Sequence, residues 1–168
     1  SEAYRVDKFV FDDGTVMTAA ELESAVGYTV YGTENNDNLY ATYANEILYG
    51  YAGNDYIAAD AGDDTLIGGS GNDTLVGGAG ADTYLFSRTD GNDTLNETAE
   101  VSGDIDTLKL TGDITTTDPV LVKQNNDLYV FIDSDNYMKI ANEFQQTNYG
   151  IERLEVADGH YITRADIQ

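Results

Sequence analysis

The sequence predicts an all-β protein whose central part winds as a flattened spiral of short parallel strands. Six carboxylates recur at intervals of nine residues: Asp37, Glu46, Asp55, Asp64, Asp73 and Asp82. Two positions after each carboxylate stands a large apolar residue. Ahead of it lies a turn, richest in glycine in GGSGNDTLV (68–76) and GGAGADTYL (77–85). A fixed short period of this kind is typical of repeat architectures, in which neighbouring repeats stack to share one core.

Each repeat has room for one turn and one short strand. Glycines at the first, second and fourth places of the turn let the backbone adopt positive φ and direct its carbonyls toward one point. Because side chains alternate along a strand, the eighth residue of each repeat should face inward. The inward residues are then Leu39, Leu48, Ile57, Leu66, Leu75 and Tyr84.

Two repeats should complete one coil, so that the turns stack in two columns. One column then contains Asp37, Asp55 and Asp73, and the other contains Glu46, Asp64 and Asp82. Coils of a parallel sheet are about 4.8 Å apart. At roughly 5 Å and an effective dielectric of about 20, two such carboxylates repel by about 3 kcal/mol. A positive charge must therefore lie between them.

That charge must come from outside, since no lysine or arginine lies between residues 9 and 87. Carboxylate and carbonyl oxygens at flexible distances suit calcium better than magnesium. The lack of cysteine and the single histidine disfavour zinc. With only six large side chains facing inward, the core is thin, and we expect metal binding and folding of residues 32–85 to be one event.

Composition excludes several classes of function. The 168-residue chain has 31 acidic and 8 basic residues, a formal net charge of −23. Nucleic acid and anionic membrane surfaces both require a positive patch, so neither is expected as a partner. No apolar run is long enough for a membrane helix, and no cleavable signal peptide opens the chain. The only histidine, His160, lies in an Asp-Gly-His turn, and we do not expect an enzyme.

The two ends of the chain resemble each other. Residues 4–22, YRVDKFVFDDGTVMTAAEL, align without gaps on residues 149–167, YGIERLEVADGHYITRADI. Each copy predicts a strand, a turn, a second strand and a short helix, and TAAELESAV (18–26) has capping-box spacing. We interpret the chain as one unit of a tandem array, with a duplication that decorates both ends of one domain as the alternative.

The nine-residue register breaks after Tyr84. DGNDTL (90–95) repeats the motif two residues late, and residues 103–144 predict further strands. We divide the chain into residues 1–30, the tail of a preceding unit, residues 31–95, the spiral, and residues 96–168, a C-terminal β-rich cap. The outward side chains of the even-numbered repeats are the more apolar set, so we expect the cap to cover that sheet.

Together, the nonapeptides, the DGNDTL step and the ending MKIANEF...YGIERLEVADGHYIT resemble the RTX, or haemolysin-type calcium-binding, proteins. The resemblance spans about residues 31–168 and implies a right-handed parallel β-roll with a C-terminal β-rich cap and short flanking helices. It also implies a large protein of a Gram-negative bacterium that is exported unfolded by type I secretion and folds outside the cell with calcium. Toxins, adhesins, proteases and lipases carry such rolls.

In that family each calcium lies between turns two repeats apart. It takes carbonyls from places two and four with the aspartate of one turn, and from places one and three with the aspartate of the next. The resemblance implies about four to five ions. The residues that it assigns to ligands or turns are Thr33, Asn35, Asp37, Gly50, Tyr51, Ala52, Gly53, Asp55, Ala59, Asp60, Ala61, Gly62, Asp64, Gly68, Gly69, Ser70, Gly71, Asp73, Gly77, Gly78, Ala79, Gly80, Asp82 and Asp93.

Two of the implied sites depart from the pattern. The site built from Thr42, Ala44 and Glu46 with the turn of Asp64 has a repeat without glycine and a longer carboxylate, so we expect it to be weak, distorted or empty. Asp93 is the candidate partner of a fifth site beyond the regular repeats.

The function expected from the sequence is a structural calcium-binding module of a larger secreted protein, either an adhesin or a toxin repeat. A rival is a carbohydrate- or surface-binding unit that uses the tyrosines, five of which cluster at the start of the spiral: Tyr40, Tyr43, Tyr49, Tyr51 and Tyr56. A third possibility is a secretion-supporting segment attached to a hydrolase. Packing of these tyrosines against the preceding helix or the cap is the simpler interpretation.

Overall fold

The computed structural model describes residues 8–10, 12, 16–18, 27–97, 104–145 and 150–167. These residues form short β-strands and one four-residue helix (Arg164–Ile167). In chain order the strands are β1 (Lys8–Val10), β2 (Val16–Thr18), β3 (Thr29–Tyr31), β4 (Asn38–Tyr40), β5 (Ile47–Ala52), β6 (Tyr56–Ala61), β7 (Thr65–Ser70), β8 (Thr74–Ala79), β9 (Thr83–Phe86), β10 (Asn92–Asn96), β11 (Thr107–Leu110), β12 (Val120–Gln124), β13 (Asp127–Phe131), β14 (Tyr137–Ala141), β15 (Arg153–Glu155) and β16 (Tyr161–Thr163).

Two seven-stranded sheets form the body of the protein. Their strand orders are β12-β13-β14-β10-β8-β6-β4 and β16-β15-β11-β9-β7-β5-β3. From β3 to β11 the chain alternates between the sheets, and each strand pairs in parallel with the strand two further along. The predicted all-β fold of stacked parallel coils is confirmed.

The core lies between the two sheets, and each strand from β4 to β8 contributes one large inward side chain. Leu48, Ile57, Leu66, Leu75 and Tyr84 are fully buried, and Leu39 in the first coil is 9% exposed. The prediction for the eighth residue of each repeat is therefore confirmed. The same row continues beyond the nonapeptides through Leu95, Leu108, Ile140 and Leu154. Alternation of buried and exposed residues along each strand follows from the two-residue period of β-structure.

The later strands extend both sheets along the axis of the spiral. β14 pairs in parallel with β10, and β15 pairs in parallel with β11. Antiparallel strands then follow, with β13 and β12 in one sheet and β16 in the other. The expectation that these strands cover the outer face of the even sheet is wrong, because they bond to the last coil edge to edge and leave Ile47 40% exposed.

Equivalent hairpins stand at the two ends of the chain. β1 pairs with β2 in the register Lys8 to Thr18, and β15 pairs with β16 in the register Arg153 to Thr163. These positions are the ones matched in the sequence. After the second hairpin, both the backbone N–H and the hydroxyl of Thr163 donate to Asp166 Oδ2 and begin the short helix. The helix predicted within residues 18–26 lies outside the described residues.

Candidate metal centre

Backbone-to-carboxylate hydrogen bonds connect successive turns of the first column. Asp37 N–H donates to Asp55 Oδ1 at 2.8 Å, and Asp55 N–H donates to Asp73 Oδ1 at 2.8 Å. Asp73 N–H donates to Asp93 Oδ1 at 2.9 Å, across a spacing of 20 residues where the earlier spacing is 18. The structure thus brings Asp93 to the position where the sequence placed it, as the next carboxylate of this column.

The second column follows the same rule and is longer than predicted. Glu46 N–H donates to Asp64 Oδ1 at 2.7 Å, and Asp64 N–H donates to Asp82 Oδ1 at 2.9 Å. Asp82 N–H then donates to Asp106 Oδ1 at 2.8 Å. Asp106 N–H donates to Glu152 Oε2 at 2.9 Å, so that a glutamate from the later strands completes the series.

The other carboxylate oxygens of the middle turns are buried without hydrogen-bond partners. This applies, among the described residues, to Oδ2 of Asp55, Asp64, Asp73 and Asp82. Since an ionised carboxylate requires compensation when it is removed from water, four buried oxygens in two rows indicate a missing positive group. Such orphaned oxygens are what the columns would offer to a bound cation.

Burial raises the pKa of these carboxyl groups. The pKa of Asp73 rises to about 6, that of Asp64 to about 7, and those of Asp82 and Asp93 to about 8. Removal from water is the main cause, and the neighbouring carboxylates add to it. Donation from the backbone N–H of the preceding coil opposes the rise in each case. A cation between the turns would reverse both unfavourable effects.

The turns leave space beside the carboxylate oxygens. A Cβ atom added to Gly50 would overlap Asp55 Oδ2, and one added to Gly68 would overlap Asp73 Oδ2. Neither glycine has positive φ. The expectation that glycine at the first place provides positive φ is therefore wrong, because what that place requires at Gly50 and Gly68 is room for the carboxylate oxygen.

Positive φ belongs to the second and fourth places. Gly69 and Gly71 have φ of 93° and 149°, and a Cβ on either would overlap a carbonyl oxygen of the coil below. The requirement at the second place holds even without glycine, since Tyr51 and Asp60 have φ of 78° and 73°. The turn conformation that exposes backbone carbonyls thus persists where the glycine pattern fails.

The first two turns bind their own carboxylates. Thr33 donates to Asp37 Oδ2 from its backbone N–H at 2.6 Å and from its hydroxyl at 2.8 Å. The Thr42 hydroxyl donates likewise to Glu46. Both carboxylates therefore have local donors that the middle turns lack. In the turn of Asp64 the first place holds Ala59, whose fully buried methyl group occupies space that glycine leaves open elsewhere.

Asp106, Glu152 and Glu97 were missed in the sequence because their spacing departs from nine. A signal was present for Asp106, which begins the same Asp-Thr-Leu triplet as Asp64, Asp73 and Asp93.

A second ladder of hydrogen bonds, formed by asparagine side chains, was also missed. The Oδ1 atoms of Asn36, Asn54 and Asn72 accept from the N–H of the equivalent residue one coil later, at 2.8, 2.9 and 3.1 Å. The Asn residue just before each carboxylate was its sequence signal.

The other candidate functional residues do not belong to the two carboxylate columns. His160 is exposed and contacts Asp158 through Nδ1 at 2.9 Å. Tyr40, Tyr43, Tyr51 and Tyr56 are all exposed. The helix expected to pack against them lies outside the described residues, so that packing stays a prediction. Within the described part of the chain, no helix has the length and apolar character needed to cross a membrane.

Parallel coils that stack, with acidic turns able to hold a cation, are the features of a calcium-binding β-roll. The model of the RTX calcium-binding nonapeptide repeat matches residues 31–66 and 49–84, and that of the haemolysin-type calcium binding protein related domain matches residues 1–21. These matches show that residues 31–84 carry RTX, or haemolysin-type calcium-binding, nonapeptide repeats. Calcium is the ion of its repeats, and the residues present fit it.

Solved structures share the fold. The extracellular lipase LipA from Serratia marcescens superposes with a TM-score of 0.53 at 25% identity, over 76% of this chain. The chain spans only 19% of the length of that lipase. The AlgE6R2 subunit of the Azotobacter vinelandii mannuronan C5-epimerase superposes with a TM-score of 0.51 at 22% identity, over 66% of this chain and 81% of that subunit. Among curated proteins, none matches the chain in sequence.

Proposed function

We propose that this chain is a structural, non-catalytic module whose folding is triggered by calcium outside the cell, within a larger RTX protein. The observation that carries the proposal is the pair of carboxylate columns with four buried oxygens that lack partners among the described residues. No basic side chain from residues 9–87 can neutralise them. Because the sites exist only in the stacked form, the binding free energy of the ions becomes folding free energy.

We assign the repeat ions to the spaces between turns that are neighbours in a column. One ion would lie between the turns of Asp55 and Asp73, and another between the turns of Asp64 and Asp82. A third would lie between the turns of Asp37 and Asp55. The turn backbones supply carbonyls, and the free Oδ2 atoms of Asp55, Asp64, Asp73 and Asp82 point to the need for a cation there.

Two further sites bring the proposed total to four or five. A site between Asp73 and Asp93 is supported by the hydrogen bond that connects them. The site of Glu46 should be weak, because Thr42 already binds that carboxylate and Ala59 fills the first place of the next turn.

Replacing Glu46→Asp should raise the number of bound ions or the affinity of this site, as measured by calcium titration. Glu34→Asp, at an exposed carboxylate, is the control.

Calcium-dependent folding is compatible with export of the chain in an unfolded state. A protein that stays unfolded without calcium can pass through a narrow secretion channel and fold on reaching a calcium-rich medium, which supports type I secretion from a Gram-negative cell. The similar lipase from Serratia marcescens is described as extracellular. The absence of cysteine in this chain agrees with passage as an uncrosslinked polypeptide. The matching hairpins at the two ends favour adjacent units of the same kind in the parent chain.

The decisive test is circular dichroism of the whole chain with a calcium chelator, followed by titration with calcium. We expect loss of β-structure in chelator and recovery on adding calcium, with a melting temperature that rises with free calcium. One site that binds only the folded form contributes about 2.7 kcal/mol at a hundredfold excess over its dissociation constant. Magnesium is the control ion and should give much weaker recovery. Unchanged β-structure and melting temperature in chelator would contradict the proposal.

A second function, carbohydrate binding by an adhesin unit, is favoured by one specific surface. Tyr31, Tyr49 and Tyr51 stack with ring centroids 5.6 to 6.2 Å apart on the outside of one sheet. Tyr31 is 61% exposed and Tyr51 is 46% exposed. Aromatic rings in a row are a surface on which sugar rings stack, while calcium holds the scaffold.

Glycan-array binding tests this second function. Replacing Tyr31→Ala or Tyr51→Ala should abolish binding and leave the calcium stoichiometry intact, whereas Tyr43→Ala, at an exposed turn residue outside the stack, should have no effect. An array without any ligand for the calcium-loaded chain would remove the adhesin interpretation and leave the structural one.

A further inference from the structure

The coil that joins the roll to the later strands departs from the repeat at one place. β10 pairs with β8 in the register Leu95 to Leu75, so Glu97, two residues further on, lies opposite Gly77. In the regular turns this place holds glycine or alanine. At Gly77 the space in front of the missing Cβ is bounded by Asp82 Oδ2 and the Tyr84 hydroxyl. A long carboxylate thus stands where the repeat has almost no side chain.

Glu97 belongs to a buried cluster of three carboxylates. Asp82, Glu97 and Asp106 are 0%, 3% and 0% exposed, and each contributes an oxygen that lies within 4.8 Å of the others. Asp82 and Asp106 are neighbours in the second column, where Asp82 N–H donates to Asp106 Oδ1. The cluster therefore lies between the last nonapeptide turn and the first turn beyond the repeats.

Two polar atoms beside this cluster lack hydrogen-bond partners among the described residues. They are Asp82 Oδ2 and the hydroxyl of Tyr84, and both residues are fully buried. Tyr84 is the only inward residue of the nonapeptide strands with a polar end; the five others are leucine or isoleucine. A buried phenol normally finds a partner, and here its oxygen borders the same space as Asp82 Oδ2.

We propose that Asp82, Glu97 and Asp106 form a further cation site, with the Tyr84 hydroxyl as a neutral fourth oxygen. All of these ligands come from side chains, unlike the repeat sites, which rely on turn carbonyls. Three carboxylates and a phenol form a hard oxygen site of high negative charge, which suits calcium and, as a probe, a trivalent lanthanide. Asp82 is shared with the proposed ion between the turns of Asp64 and Asp82. Glu97, Asp106 and the Tyr84 hydroxyl serve no other proposed ion, so the existence of this site is a separate question.

The experiment counts calcium ions per chain by equilibrium dialysis and atomic emission in the full chain and in Glu97→Gln. The variant keeps the size of the side chain and removes its charge. We expect one ion fewer, with calcium-dependent β-structure retained. Glu34→Gln, which removes an exposed carboxylate at the opposite end of the roll, is the matched control and should bind as many ions as the parent chain.

An unchanged count in Glu97→Gln would overturn the inference, since it would mean that the cluster is neutralised by a proton. If the parent chain binds no calcium at all, the proposed function fails as well, so the two failures are distinguishable. Should Glu97→Gln fail to fold, Tyr84→Phe decides. Terbium emission excited through tyrosine should fall in Tyr84→Phe and stay constant in Tyr43→Phe, and equal emission from both would reject the site.

Discussion

The roll and the strands that follow it balance their acidic residues in opposite ways. Residues 9–87 contain no lysine or arginine, and their carboxylates lie against each other. From Arg88 onward several of the described acidic groups have basic partners close by. The pairs are Arg88 with Asp113 and Asp118, Lys109 and Arg153 with Glu155, Lys139 with Asp127, and Arg164 with Glu143 and Glu152.

Within the second column, the last carboxylate differs from the earlier ones in having a basic partner. This carboxylate, Glu152, accepts from Asp106 N–H and lies 3.4 Å from Arg164. Arg164 also contacts the fully buried Glu143, Nε to Oε1, at 3.2 Å. The column therefore ends on a cation that the chain itself provides, whereas Glu46, Asp64 and Asp82 form no ion pair with a basic side chain among the described residues. If the proposed function holds, the later strands can fold with their own charges, whereas folding of the roll depends on bound calcium.

The largest expected effect of this difference is seen on calcium removal. In chelator, backbone amides of β4 to β9 should lose protection against hydrogen exchange, because on the proposed function their stacking depends on bound ions. Amides of β12 to β14, which pair in antiparallel fashion and share the ion pair of Lys139 with Asp127, should keep a larger share of their protection. Exchange followed by mass spectrometry measures this by segment. Equal loss in both segments would show that the later strands also depend on calcium.

The second effect is a reversal of pH dependence. In the metal-free roll, Asp64, Asp73, Asp82 and Asp93 have pKa values of about 7, 6, 8 and 8, against 3.8 for an ordinary aspartate. The folded form thus binds protons that the unfolded form releases. Its stability is highest below about pH 4 and falls as pH rises toward about 8.

With calcium the sign is opposite, because the ion requires ionised carboxylates and must displace those protons. Thermal unfolding at pH 5 and pH 8 should show the chelated chain more stable at pH 5 and the calcium-saturated chain more stable at pH 8. The same direction of pH dependence in both solutions would argue against these carboxylates as the ligands.

A third, smaller effect concerns the resident cation. Replacing Arg164→Met should destabilise the calcium-saturated chain by about 3–5 kcal/mol, since it leaves the carboxylate of Glu143 buried without its partner. Arg153→Met, at a pair whose arginine is 37% exposed, should cost only about 0–1 kcal/mol. Urea unfolding gives both values. A similar cost for the two variants would mean that burial of the Arg164 pair contributes nothing special.

The smallest expected effect separates steric crowding in the roll from backbone strain elsewhere. Gly71 and Gly112 both have positive φ, 149° and 72°, but only Gly71 faces a carbonyl of the neighbouring coil. Replacing Gly112→Ala should cost roughly 1–2 kcal/mol from the left-handed conformation. Gly71→Ala should cost about 1–3 kcal/mol more from overlap with Gly53 O. If both variants of the calcium-saturated protein lost a comparable amount of unfolding free energy, glycine would be required at Gly71 only for its positive φ.

Sequence analysis predicted the part of the fold in which structure repeats at a constant spacing. The two columns and the inward row from Leu39 to Tyr84 follow from a nine-residue period and the alternation of a strand. After Tyr84 the spacing in the columns becomes 20, then 24, then 46 residues, and counting no longer applies. The Asp-Thr-Leu triplet at Asp106 would have extended the prediction by one coil.

Other features depend on distances between coils, which a pattern does not contain. The donation from each backbone N–H to the next carboxylate and the ladder of Asn36, Asn54 and Asn72 are of this kind. The need for glycine at the first place is also of this kind, because it depends on the space beside the carboxylate oxygens of Asp55 and Asp73. The ligand set of each ion and the division into residues 1–30, 31–95 and 96–168 stay predictions.

The hydrogen bonds along the columns all run in one direction, and this gives the roll a polarity. The N–H of Asp37 is bound by the next coil, as are those of Asp55 and Asp73, and the next coil is always nearer the C-terminus. A shortened N-terminal end would therefore leave each remaining N–H of this series with its carboxylate acceptor, and would cost the oppositely directed asparagine ladder one acceptor. A shortened C-terminal end would leave a donor without its acceptor and open the seam from that side, one coil after another.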